Sequence, residues 1–207
     1  MGHVSEATKT FDLSGGNLCL DFANTARYVG AHREDLSSYR ALVSFVEQSG
    51  AVTRADARAL LAAAEKKPAA AARVLARAIT LRQAIFRTFS AIAGGGQVRG
   101  DDLALLDRAA ADAASHVCLV PQDGGFRWQV EAASLRELEG PLWPVVRSAT
   151  DLLTSSDVAT VRECALETCS WLFLDHSKNQ KRRWCDMKIC GNRSKARRHY
   201  ARTKGSA

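Results

Sequence analysis

No stretch of the 207 residues approaches the roughly 18 consecutive apolar residues that a membrane span requires, so no membrane partner is expected. The first ten residues lack an apolar signal core, which points to a reducing cytoplasm rather than an oxidising compartment. A chain of this length also buries a core without disulfides. The residue sets of common catalytic sites are missing as well. The triple glycine Gly94-Gly95-Gly96 has neither the preceding strand nor the following Lys-Ser/Thr of a phosphate-cradling loop. There is no Cys-x-x-Cys redox pair, no Ser/His/Asp set and no pair of carboxylates on one face beside a histidine. The expectation is a protein that is not an enzyme.

Acidic residues are absent after Asp186, and this absence sharpens a wider imbalance. Residues 162–207 carry twelve Lys/Arg against four Asp/Glu, a net of +8, whereas residues 1–161 carry seventeen against eighteen. The excess charge of the chain therefore belongs to its C-terminal segment. A concentrated basic segment is the electrostatic footprint of a nucleic-acid binder, and a neutral remainder argues against one binding surface over the whole protein.

Four of the six cysteines fall in that same segment. Cys164 and Cys169 form one pair, Cys185 and Cys190 a second of identical spacing, and a fifteen-residue insert separates them. Zn²⁺ prefers four tetrahedral soft ligands, and each short pair can supply two adjacent corners from one turn. Four buried thiols without a metal are the alternative. With four thiolates the coordination sphere is closed, so one zinc ion would be structural and no position would remain for an attacking water. Cys19 and Cys118, each between aliphatic neighbours, read as small buried hydrophobes.

The run Cys190-Gly191-Asn192-Arg193, preceded by Trp-Leu-Phe-Leu-Asp-x-Ser-Lys-Asn and Arg-Arg-Trp-Cys-x-Met, resembles the CGNR zinc finger family over about residues 160–204. Members of that family commonly carry an N-terminal ABATE domain, whose opening the Leu-Asp-Phe-x-Asn-Thr of residues 20–25 resembles, and are described as stress-induced transcription regulators of bacteria. The resemblance implies zinc binding and DNA binding.

Residues 1–157 then read as a helical N-terminal domain containing a β-hairpin. The apolar run at Leu18, Leu20 and Phe22 fits helix or strand, and the resemblance favours helix. Asp21 and Asn24 are expected to bond the local backbone, with ligand contact as the alternative. Leu36 through Val46 shows helical periodicity with Gly50 as a stop. Thr53 with Asp56 forms a capping box for a second helix, Pro68 opens a third that runs to Gly94, and Asp101 or Asp102 caps a fourth. Residues 116–120 and 126–130 read as a hairpin with a five-residue loop, and His116 as a solvated residue at its edge. A last helix follows Pro144, and residues 158–162 read as a strand leading to Cys164. Residues 158–207 form a treble-clef-like or ribbon-like four-cysteine finger. The whole is α+β and mostly helical.

In the finger, Trp171, Leu172, Phe173 and Leu174, with Trp184, are expected to form a β-hairpin packed beside the metal, with base stacking by the aromatics as the alternative. A helix from about Met187 to Arg202 would place Ala196 and Tyr200 against the domain and Lys195, Arg198 and Arg202 on the opposite side, flanked by Arg193 and Arg197. Lys181, Arg182 and Arg183 would extend this basic face. Double-stranded DNA is the expected partner, and RNA or a ribosome-associated role the second reading. The N-terminal domain is then the place for a small-molecule effector or for pairing of two chains as a homodimer.

Overall fold

The computed structural model describes residues 10–27, 29 and 33–197. Its centre is α4 (Pro68–Ala93), a 26-residue helix against which most other elements pack. Pro68 at the first turn lacks the N–H that would go unpaired there, and the alanine-rich sequence that follows favours helix throughout. Ala71, Val74, Ala78, Leu81, Ile85 and Phe89 recur at three- and four-residue steps and are all buried. Around α4 lie α1 (Leu18–Ala23), α2 (Tyr39–Gln48), α3 (Arg54–Lys66) and α5 (Gly100–Ala114), and α6 (Leu142–Thr154) packs on α1 and α5. Thr53 and Asp56 form the expected capping box on α3, and Gly50 after α2 takes the positive φ of 75° that stops it.

Three elements start or turn elsewhere than the pattern predicts. Helix α5 begins at Gly100 without a side-chain cap, because Asp102 turns inward to Arg87, with oxygens 2.5–3.1 Å from the guanidinium nitrogens. Helix α6 starts at Leu142, two residues ahead of Pro144. The hairpin strands β3 (Val117–Gln122) and β4 (Gly125–Val130) are joined by a two-residue Asp123-Gly124 turn, not a five-residue loop. Gly124 supplies φ 77°, and Pro121 fits inside β3 because a two-stranded ribbon has a free edge where a missing N–H costs nothing. His116 is not simply solvated: its ring stacks on Trp143 at 3.6 Å between centroids, and Nδ1 lies 3.1 Å from Ser134 Oγ.

One buried charge escapes any periodicity argument. Arg82 on α4 is 2 % exposed and grips Glu34 with two hydrogen bonds of 2.6 and 2.5 Å and Thr25 Oγ1 at 3.2 Å. Burial acts to raise the Glu34 carboxyl, and the guanidinium overrules it and holds the group below its usual range. This pair fixes Thr25 and Glu34, and with them the short pair β1 (Ala26–Arg27) and β2 (Arg33–Glu34), on the central helix.

The C-terminal segment is built into the same core. After a 3₁₀ turn at Ser156–Thr160, β5 (Val161–Glu163) pairs antiparallel with β6 (Leu172–Leu174), so the expected strand starts three residues later than residue 158. Val161, Leu172 and Leu174 are buried in the main core cluster together with α1 and α4 residues. The outer edge of β6 is covered by the N-terminal segment. The Asn24 carboxamide donates to Leu172 O and accepts from Leu172 N, both at 2.9 Å, and Leu174 N donates to Gly15 O at 2.9 Å. Asn24 therefore bonds backbone 148 residues away, while Asp21 does bond the local backbone, accepting from Gly15 N at 2.7 Å. A Cβ on Gly15 would stand 2.8 Å from Asp21 Oδ1 and 3.2 Å from Leu172 O, so only glycine permits this approach.

Two predictions follow from this junction. Asn24→Ala leaves the N–H and C=O of Leu172 buried and unpaired, and should destabilise the chain by about 2–4 kcal/mol in urea titrations. Asp21, buried, has its carboxyl pushed up from 3.8 to about 7 by desolvation, with the Asp12 charge adding to this and the Gly15 N–H opposing it. The unfolded chain ionises first, so the native state loses stability as pH rises from 3.8 to about 7 and no further beyond. Asp21→Asn keeps an acceptor for Gly15 and cannot ionise. Its melting temperature, followed calorimetrically, should gain on the wild type across that window and then run parallel.

Candidate functional site

The cysteine site grows directly out of the β5–β6 hairpin. Cys164 N donates to Trp171 O at 2.9 Å, extending the ladder by one pair and placing the first thiol beside the hairpin end. Cys169 N closes a tight turn on Leu166 O at 2.7 Å, which folds the second thiol back towards the first. The later pair comes from a different element. Asp186 caps a π-turn over Met187–Gly191, its side chain accepting from Ile189 N at 2.7 Å while its carbonyl accepts from Cys190 N and Gly191 N. Ala165 N bonds Arg183 O at 2.8 Å and ties this element to the first turn.

The result is four sulfurs within 4.8 Å of one another, with Cys169–Cys185 at 3.8 Å and Cys185–Cys190 at 3.6 Å. None is in a disulfide. A tetrahedron of thiolates at a Zn–S distance of about 2.3 Å has edges of about 3.8 Å, so the spacing fits that ion. The electrostatics ask for it too. The Cys164 thiol is driven well below its ordinary range by hydrogen bonds from Cys169 and Cys185, while those two are pushed up by making them. Burial raises Cys190. Four thiolates this close repel one another, and a dication among them relieves that repulsion.

Period-two alternation on β6 divides the aromatic insert. Trp171 and Trp184 pack with Leu166 around the sulfurs, as expected of metal-side packing. Their indole N–H groups are buried without a hydrogen-bond partner among the described residues. Leu172 and Leu174, expected beside the metal, point the other way, into the main core, because alternate side chains of a strand face opposite sides. Phe173 is fully buried beneath the Arg182 guanidinium, 4.6 Å from the ring centroid. Asp175, missed in the sequence reading, organises the insert: it is wholly buried and accepts from Ser177 N, Ser177 Oγ and Arg182 N at 2.6–3.0 Å. An Asp-x-Ser step is a common local turn signal that could have revealed it.

The cations of the basic segment differ in what they are free to do. Lys181, Arg183, Arg193 and Lys195 are exposed, and so is Lys188, which the helical-face argument overlooked. Arg183 lies over the Trp184 ring at 5.3 Å. Arg182 is committed to the finger itself, donating to Trp184 O at 2.9 Å and to Cys185 O. Arg197 faces Glu167 at 3.4 Å. Residues 192–197 are helical, but Ala196 is exposed and does not pack on the domain. Arg198, His199, Tyr200 and Arg202 lie outside the described residues.

Residues 160–203 match the model of the CGNR zinc finger, and residues 16–156, more than half of the chain, match the model of ABATE, described as a "putative stress-induced transcription regulator". The chain belongs to the ABATE family. This ABATE protein carries the CGNR finger at its C-terminal end, and its four clustered cysteines are suited to one zinc ion. Both models describe a regulator and a zinc finger rather than an enzyme. No curated protein matches the chain. Among the described residues no helix is long and apolar enough to cross a membrane.

Apparent zinc-binding energies in small fingers reach about 10–16 kcal/mol at neutral pH, and they appear as folding energy. Because Leu172 and Leu174 sit in the main core, removing zinc should lower the melting temperature of the whole ABATE protein and red-shift tryptophan emission as Trp171 and Trp184 become wet. Elemental analysis should find one zinc per chain in the wild type and close to none in Cys185→Ser. A wild type purified without chelators and holding far less than one zinc would contradict the assignment.

Proposed function

We propose that this protein is a DNA-binding transcriptional regulator of the cytoplasm, in which residues 158–207 form the zinc finger that meets DNA and residues 1–157 the sensing and pairing domain. The observation that supports this reading most is the exposure of Lys181, Arg183, Lys188, Arg193 and Lys195 around a closed four-sulfur site. A closed site does no chemistry on a substrate. It holds a scaffold rigid, and exposed cations on a rigid scaffold suit phosphate contact. Cys164, Cys169, Cys185 and Cys190 are the metal ligands in this reading. Arg182 acts as a latch, and Arg197 can exchange Glu167 for a phosphate because both members of that pair are exposed.

The family description as a stress-induced regulator supports the same class of function. A reducing cytoplasm keeps the four clustered cysteines as thiols available to metal. The effector of the N-terminal domain has space between α4, α5 and α6, where Arg77, Leu81, Arg108, Leu142, Trp143 and Val146 line a cavity of about 520 Å³. That volume is within the usual range for small-molecule sites.

The test is a duplex-DNA titration of zinc-loaded protein across salt. About six phosphate contacts give a slope of log affinity against log salt near −5, and Arg193→Ala or Lys195→Ala should each flatten it by about one. Retention of zinc by both variants separates lost contact from lost fold. No retention of DNA at low salt would end the proposal, and structured RNA displacing duplex DNA would replace it with the RNA-binding alternative.

A further inference from the structure

The β3–β4 hairpin has an apolar face that begins in the core and then runs out of it uncovered. Its register pairs Val117 with Val130, Leu119 with Trp128 and Pro121 with Phe126, and these six side chains share one face of the ribbon. Val130 is buried and Val117 packs on the core cluster. Further out, Leu119 is 55 % exposed, Trp128 52 % and Phe126 73 %. Among the described residues no further strand pairs with either outer edge of this two-stranded sheet. Natural edge strands are normally protected by charge, and here Asp123 and Arg127 are the only charged residues between positions 117 and 130.

We propose that this hairpin face is the surface through which two copies of the chain associate, packed face to face about a two-fold axis. A two-fold interface needs a self-complementary patch, which means a projection and a hollow side by side on one molecule. Phe126 is the projection, next to the turn. The hollow is a groove of about 480 Å³ at the base of the same ribbon, lined by Val52, Trp128, Val130, Pro144, Arg147 and Asp151. Each copy's Phe126 reaches the other's groove, beside the partner copy's Trp128 position.

Charge and area both select a second copy as the occupant. The groove and hairpin carry Arg127 and Arg147 against Asp56, Asp123 and Asp151, a net of −1 that the Asp56–Arg136 ion pair offsets, so the patch is close to neutral and repels itself little. A nucleic acid would want an excess of cations there, and a strongly charged protein the opposite sign. The exposed parts of Leu119, Pro121, Phe126 and Trp128 offer roughly 400 Å² at about 200 Å² per large side chain. Two such faces with their rims come to about the 1,200 Å² at which specific interfaces begin. The inference rests on the proposed pairing role of the N-terminal domain, but not on DNA binding by the finger.

Sedimentation equilibrium of the zinc-loaded full chain, without DNA, tests it. The wild type should approach twice its 22.4 kDa chain mass. Phe126→Asp and Leu119→Lys, both at exposed positions, should weaken the dimer by about 30-fold or more while leaving far-ultraviolet circular dichroism unchanged. Leu103→Asp, at a residue of α5 that is 54 % exposed, should leave the dimer intact. A wild type of single-chain mass overturns the inference, as does a dimer that Phe126→Asp leaves tight or Leu103→Asp weakens equally. Loss of nucleic-acid retention in Phe126→Asp with unchanged mass would instead give the hairpin to nucleic acid. Failure of the dimer with DNA retention preserved would leave the finger's proposed role standing.

Discussion

Strand β6 enters the protein interior, and its outer edge is satisfied by a segment from the other end of the chain. A buried backbone N–H or C=O without a partner costs about 1–3 kcal/mol, and Leu172 presents one of each on the same side. A carboxamide is the neutral side chain that supplies a donor and an acceptor together, in a spacing like that of a neighbouring strand. Asn24 thereby does the work of a third strand with a single residue. Gly15 completes the edge at Leu174, and Asp21 holds Gly15 in turn. The finger is consequently no bead on a linker, since its hairpin and the opening of the N-terminal segment satisfy each other.

The two sides of that hairpin have separate duties because side chains alternate. Leu172 and Leu174 complete the main core, while Trp171 turns to the sulfurs and Phe173 to the Arg182 guanidinium. The metal site is thus one residue removed from the core it helps to anchor. Four thiols within 4.8 Å resist common ionisation without a dication, so the electrostatic demand of the site and the packing demand of the core converge on the same short ribbon. Asp175, at the end of β6, then redirects the chain by accepting three hydrogen bonds, and its carboxyl stays below the usual range despite burial.

What the sequence made legible was local. Thr53 with Asp56, Pro68 and Gly50 act within a few residues of themselves, and α2, α3 and α4 begin or end close to where those signals stand. The cysteine spacing worked for the same reason, since each pair is closed by its own turn. What stayed hidden depended on distant partners. Arg82 looks like any exposed arginine on a helix until Glu34, 48 residues away, is brought against it. Asn24 looks like a turn former until Leu172 arrives. Pro121 reads as the start of a loop, and it stands in a strand because, among the described residues, the ribbon has no further neighbour to offer it a carbonyl. Asp102 reads as a cap because nothing nearby announces Arg87.

The same distinction between local and distant partners bears on the basic segment. Counting cations treats them as equals, yet Arg182 spends its guanidinium on Trp184 O, Cys185 O and the face of Phe173. Those carbonyls flank the third sulfur, so this side chain holds the metal turn in place and is only secondarily a charge. Arg197 sits at the other extreme, with both it and Glu167 largely exposed and their mutual attraction worth little in water. A phosphate, carrying more charge and able to accept two parallel hydrogen bonds from a guanidinium, competes easily for such a partner. A closed zinc tetrathiolate adds a formal charge of −2 behind this face, which offsets part of the positive field at long range but not the direct contacts. On the proposed reading, steering of DNA toward the finger is therefore weaker than the net charge suggests, and affinity depends on close contact by Lys181, Arg183, Lys188, Arg193 and Lys195.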